Sequence, residues 1–234
     1  MRFLEPGALG TVLPHDVDPW PAPWTAEAII RELEPLVLER RRQRFRDVFA
    51  ARIGSVTLLL DELYDPHNRA AIVRSCDAFG VHELHALQRD GQFEIQRSIA
   101  AGCERWVSMH RHHSVEAAVE VLNERGYELV ATAPDGELTP PELAGVARLA
   151  LILGNEHRGV DPVLVRAAKR SVRIPMIGFV QSLNVSVSAA ILLQAATSGR
   201  AGDLPLSEQR RMYARALFGS VPRAARVLDA LRAR

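Results

Sequence analysis

From Ser55 onward the chain alternates short apolar runs with helical stretches, and this alternation limits its fold more than any other feature. Val56-Thr57-Leu58-Leu59-Leu60 is continuously apolar, as a strand covered on both faces must be. Further strands are expected at 81–87, 106–110, 129–132, 149–153 and 171–175, with helices over 115–125, 162–170 and 184–198. Asp65 and Pro66 supply an N-cap and a first-turn proline for another helix, which ends at Gly80. The pattern predicts an α/β fold: a mostly parallel sheet with helices on both faces. Upstream, Thr25 caps a helix running to about Ala50 with a break at Pro35; before it, prolines at 6, 14, 19, 21 and 23 read as an extended arm. Two short arginine- and alanine-rich helices are expected beyond Ser207. The resulting division is a Pro-rich arm and basic helical extension at 1–50, a catalytic domain at 51–200, and a basic helical extension at 201–234.

With 47% hydrophobic and 24% charged residues among 234, the chain can bury a large core. It contains no apolar run of about 18 residues and no leader-like N-terminus, so the expectation is a soluble cytoplasmic protein. The net charge of +1 does not discriminate among partners. Lys169 is the only lysine among 29 basic residues, so arginine abundance is no evidence for nucleic acid; only clustering counts. Arg40, Arg41, Arg42, Arg44 and Arg46 form such a cluster, readable as a solvated helix face or as a backbone-contact stripe.

Several chemistries lack their motifs. There is no phosphate-loop lysine after Gly154 and Gly159, no G-x-G-x-x-G and no G-x-S-x-G. Cys76 and Cys103 form no C-x-x-C and read as reduced thiols. No metal is expected: His82 and His85 should face opposite sides of a strand, and His110, His112 and His113 have no acidic or cysteine neighbour in sequence.

Three strand-to-helix loops remain, at the edge where open α/β sheets bind ligands. In Asp65-Pro66-His67-Asn68-Arg69, Arg69 shares a helical row with Ile72, Cys76 and Phe79 and sits in the first turn, where the helix dipole disfavours a cation. It has either an anionic partner or a task, unless it snorkels outward from the helix edge. In Gly154-Asn155-Glu156-His157-Arg158-Gly159, two glycines permit close backbone approach, in an ordinary turn as in a binding loop. Residues 174–184 are largely apolar and are expected to be buried, with Ser182 or Asn184 capping the next helix.

Together these loops resemble the three signature motifs of the SpoU/TrmH branch of the SPOUT methyltransferases: Asn68-Arg69, Gly154-Asn155-Glu156, and Ser182-Leu183-Asn184. The strings Pro-His-Asn-Arg-Ala-Ala-Ile and Met-Ile-Gly-Phe-Val-Gln-Ser-Leu-Asn-Val-Ser-Val are most similar to the tRNA (guanosine-18) 2'-O-methyltransferases. The resemblance begins near Glu39 and runs to the C-terminus. It implies a C-terminal deep trefoil knot, a homodimer with its site near the interface, and S-adenosyl-L-methionine as cofactor. Thr132, Leu153, Gly154, Asn155, Ile174, Met176 and Leu183 would then hold the adenosine. Arg69 is implied as the catalytic arginine, with Asn68, Glu156, Ser182 and Asn184 as positioning residues. A guanidinium is too basic for routine proton acceptance, so electrostatic stabilisation of O2' is the physically easier role. Arg40, Arg41, Arg44, Arg46, Arg158, Arg200, Arg210 and Arg211 are the candidates for neutralising an RNA backbone, tRNA first and ribosomal RNA second. A catalytically silent RNA-binding scaffold is the alternative of another class.

Overall fold

The computed structural model describes residues 18–88, 100–155 and 157–232, which form two compact units. Residues 1–17 of the expected arm, and Glu156, lie outside the described residues. One unit comprises the described residues up to Arg52 together with those from Gly202 on; the other is Ile53–Ala201.

In the first unit, α1 (Ala26–Leu33) starts at Thr25, whose hydroxyl accepts from Ala28 N at 3.3 Å. Pro35 interrupts the helix as expected, and a 3-10 turn over Glu34–Leu36 leads to α2 (Glu39–Ala50). The C-terminal helices are α7 (Leu206–Ser220) and α8 (Ala224–Arg232); α1 and α2 both pack on α7. Tyr213 on α7 donates to Glu34 Oε1 at 2.7 Å. Gly202 is required by close approach, because a Cβ there would lie 1.9 Å from Ala50 O.

The second unit is a six-stranded sheet whose described pairings are all parallel, in the order β3-β2-β1-β5-β4-β6. The strands are β1 (Val56–Asp61), β2 (Glu83–Leu87), β3 (Ser108–His112), β4 (Glu128–Thr132), β5 (Leu149–Leu153) and β6 (Arg170–Val172). β1 and β5 are buried along their whole length, which explains their unbroken apolar sequence. One face, including Leu59, Ala150 and Ile152, packs on α4 (Val115–Glu124) and α5 (Pro162–Ala167) through Ala118, Leu122 and Leu164. Each large side chain so buried contributes about 1.5–3 kcal/mol. α3 (Pro66–Ala78) meets β2 and packs on α6 (Val185–Thr197).

Several boundaries differ from expectation: β2 begins at Glu83 rather than at residue 81, and β6 spans Arg170–Val172 rather than 171–175. β3 begins at Ser108, two residues late, since Trp106 and Val107 are apolar but lie in the turn that precedes it. α5 stops at Ala167 because Lys169 N turns to Leu129 O at 3.0 Å and the chain enters β6.

Candidate active site

The strand order runs outward in both directions from the β1–β5 pair, so the crevice at the carboxyl ends of these two strands is the topological switch point of the sheet. β1 ends at Asp61, followed by Glu62 in a left-handed conformation with φ 48°. β5 ends at Leu153 and leads into the 154–161 loop. The loop is latched to the end of β1 at three points. Asn155 Nδ2 donates to Glu62 O at 2.7 Å, Asp161 N donates to Asp61 Oδ2 at 2.7 Å, and Arg158 pairs with the Glu62 carboxylate. Burial raises the Asp61 carboxyl above its usual range, although the bond from Asp161 N opposes the shift.

Asn155 also closes the loop on itself. Its N–H donates to Gly159 O at 3.0 Å, its carbonyl accepts from Gly159 N at 2.9 Å, and its side chain accepts from His157 N at 2.9 Å. Both of its backbone groups therefore help to close the loop, and the carbonyl keeps a second lone pair. Gly154 cannot be replaced without movement, since a Cβ would lie 2.2 Å from Gly159 C and 2.3 Å from Val160 N. Thr132, at the end of β4, donates to Ile152 O at 3.0 Å and ties the neighbouring strand to this edge.

α3 opens beside the same crevice, immediately after β1. Asp65 caps it by accepting from His67 N at 2.8 Å, and Pro66 occupies its first turn. Asn68 and Arg69 are both buried, Arg69 with only 5% exposure, as its place on the core-facing row requires. The Arg69 guanidinium donates to Tyr64 O at 3.4 Å. Farther along α3, Arg74 lies off the buried row and is exposed.

The third loop meets the first at α6. Asn184 Nδ2 donates to Asn68 Oδ1 at 3.0 Å, while Asn184 Oδ1 accepts from Ser186 N at 2.8 Å and caps the helix. One asparagine thus fixes the entry of α6 and joins it to the start of α3. Ser182 is exposed, Ile174 and Leu183 are half-buried, and Met176 is exposed. The expectation that this loop is buried is wrong for the single chain: Ile177, Phe179 and Val180 all face solvent. Its apolar composition was equated with burial against the chain's own core, yet nothing in the described chain covers it.

The arginines divide sharply. Arg40, Arg41, Arg44 and Arg210 are exposed. Arg46 is bound to Glu34 and Glu39, Arg211 to Asp18 at 2.8 Å, and Arg158 to Glu62. Arg200, an expected RNA contact, is bonded within the chain: its Nε donates to Ala196 O at 2.7 Å and its Nη1 to Ala147 O at 2.9 Å, with Nη2 on Val146 O. It caps α6 and anchors the 143–147 turn.

A second polar cluster lies on the β2–β3 edge. Burial alone would raise the Glu83 carboxyl, but hydrogen bonds from His110 and Arg125 hold it well below the usual carboxylate range. Burial pushes His85 down to about 3.

Residues 55–194 match the SpoU rRNA Methylase family. The chain belongs to the SpoU methylase family. It is similar to the tRNA (guanosine(18)-2'-O)-methyltransferase of Thermus thermophilus, with 37% identity over 156 residues, covering 66% of this chain and 80% of the relative. The Aquifex aeolicus protein of the same name is 36% identical over 186 residues, covering 78% and 84%. The crystal structure of the A. aeolicus TrmH/SpoU tRNA modifying enzyme superimposes with a TM-score of 0.71 at 30% identity, covering 79% of this SpoU-family chain and 98% of that one. An AdoMet-bound rRNA methyltransferase from Sinorhizobium meliloti has a TM-score of 0.56 at 26% identity, covering 65% of this chain and 59% of that one.

Proposed function

We propose that this SpoU-family protein transfers a methyl group from S-adenosylmethionine to a ribose 2'-hydroxyl in RNA, and that guanosine 18 of tRNA is its target. The observation that carries this reading is the Asn184–Asn68 bond, which joins the third and first loops at the sheet edge where the second is latched to β1. The relatives named as tRNA (guanosine(18)-2'-O)-methyltransferases support the choice of tRNA. A relative named 23S rRNA (guanosine-2'-O-)-methyltransferase, from Escherichia coli, is 32% identical over 157 residues and keeps ribosomal RNA as the second reading.

The cofactor supplies an electrophilic methyl carbon on a sulfonium, so the protein's task is chiefly alignment and charge. Thr132, Leu153, Gly154, Asn155, Ile174, Met176 and Leu183 would hold the adenosine, with Asn155 also keeping its loop in shape. Asn68, Ser182, Asn184 and Glu156 position the ribose. A guanidinium stabilises negative charge as it develops on O2', and that role falls to Arg69 on the resemblance. The contrast between buried Arg69 and exposed Arg74 on the same helix favours a second reading, in which Arg69 holds the turn and Arg74 meets the RNA. Arg40, Arg41, Arg44 and Arg210 contact the RNA backbone.

The protein acts as a cytoplasmic homodimer with a C-terminal trefoil knot. Exposure of Ile177, Phe179 and Val180 supports the dimer, because a second copy would cover them. The test is transfer of labelled methyl from S-adenosylmethionine to unmodified tRNA transcripts by wild type, Arg69→Ala and Arg74→Ala. Transfer by wild type is expected, and the arginine whose loss abolishes it while cofactor binding persists is the catalytic one. Cofactor binding without transfer to tRNA or ribosomal RNA would leave the silent-scaffold reading.

A further inference from the structure

The β2–β3 edge brings together residues that sequence separates. Parallel register sets His85 beside His110 and Leu87 beside His112, so Glu83, His85, His110 and His112 share one face. Glu83, His85 and His110 each offer one ligand atom, and these atoms all lie within 4.8 Å of one another. Glu83 Oε2 and His110 Nε2 are 3.2 Å apart. Two ligands of a tetrahedral ion, each about 2.0–2.1 Å from it, lie about 3.3 Å from each other.

The surroundings fit a ligand set. His85 is fully buried, and among the described residues its Nε2 has no hydrogen-bond partner. Its Nδ1 lies 2.8 Å from His112 Nε2, so a proton on Nδ1 would be shared with His112 and leave the Nε2 lone pair available. Second-partner bonding of this kind fixes the tautomer of metal-bound histidines. Tyr127 OH at 2.8 Å and Arg125 Nη2 at 2.5 Å both hold Glu83 Oε1, which orients the carboxylate and leaves Oε2 toward His110. His110 is partly exposed and provides a route from solvent.

We propose that Glu83, His85 and His110 bind a divalent transition-metal ion, zinc by their nitrogen and oxygen donors, and that the ion staples β3 to β2. The fourth position is left to water. Arg125 limits affinity by its charge but takes no ligand position. The site is remote in sequence from the three loops and does not depend on the methyl-transfer reading.

The test uses tag-free full-length protein, stripped with chelator and titrated with Zn²⁺ against a chromogenic competitor, then with Co²⁺ for its visible absorption. Wild type should take up one ion per chain. Affinity should fall roughly 100-fold in His110→Ala and in Glu83→Gln, since loss of even an outer partner costs about 10–100-fold. His113→Ala, whose side chain is exposed outside the cluster, should match wild type. Zinc should raise the Tm of wild type and not of His110→Ala, which also serves if Glu83→Gln fails to fold. No saturable uptake, or equal uptake by wild type and His110→Ala, would reduce the cluster to a buried histidine network and overturn the proposal.

Discussion

The 154–161 and 174–184 loops both follow strands, and both carry motifs of the family, but they are held in opposite ways. The first is completed by its own chain: Asn155, Arg158 and Asp161 bind the end of β1, and Asn155 pairs with Gly159 across the turn. The second is fixed at its end by Asn184, while Ile177, Phe179 and Val180 face outward. A polar loop can finish itself with hydrogen bonds of defined direction. An apolar loop needs a surface, and the described chain supplies none.

The largest expected break in this contrast is Gly154→Ala. Its Cβ meets backbone rather than flexible side chain, so the loop must shift. Cofactor affinity should fall at least tenfold, and denaturant titration should show a loss of about 1–3 kcal/mol. Asn155→Ala should follow closely. It removes the donor to Glu62 O and the acceptor for His157 N at a buried position, costing about 1–3 kcal/mol in the same titration.

The second loop should respond oppositely. Phe179→Asp should leave the unfolding of the isolated protomer within about 0.5 kcal/mol, as exposed substitutions do. Sedimentation should nevertheless show a shift from dimer to monomer. A stable dimer in the variant would remove this loop from the interface.

The smallest effect concerns Asp61, whose folded pKa is raised by burial. Folding then favours its protonated form, so wild-type stability rises as pH falls between the raised value and the usual aspartate range. Asp61→Asn keeps an acceptor for Asp161 N and lacks this rise. Stability measured from pH 7 to pH 4 should therefore show the variant's advantage shrinking on acidification.

The same contrast explains how much was legible in the sequence. β1 and β5 were readable because burial on both faces leaves an unbroken apolar run. The caps at Thr25, Asp65 and Asn184 were readable because they act within three residues. The outward turn of 176–180 was not, since apolar composition does not say which chain provides the cover. Arg200 looked like a surface cation, but its carbonyl partners at 146–147 lie more than 50 residues away. Likewise His110 lacked a carboxylate in its own segment, and Glu83 reaches it only through strand pairing.

The central claim is that these loops act together on one ribose oxygen. The direct measurement is methyl transfer to two tRNA transcripts that differ only at guanosine 18, one with ribose and one with 2'-deoxyribose there. The account predicts one labelled 2'-oxygen in the first and none in the second. Equal labelling of both would contradict it.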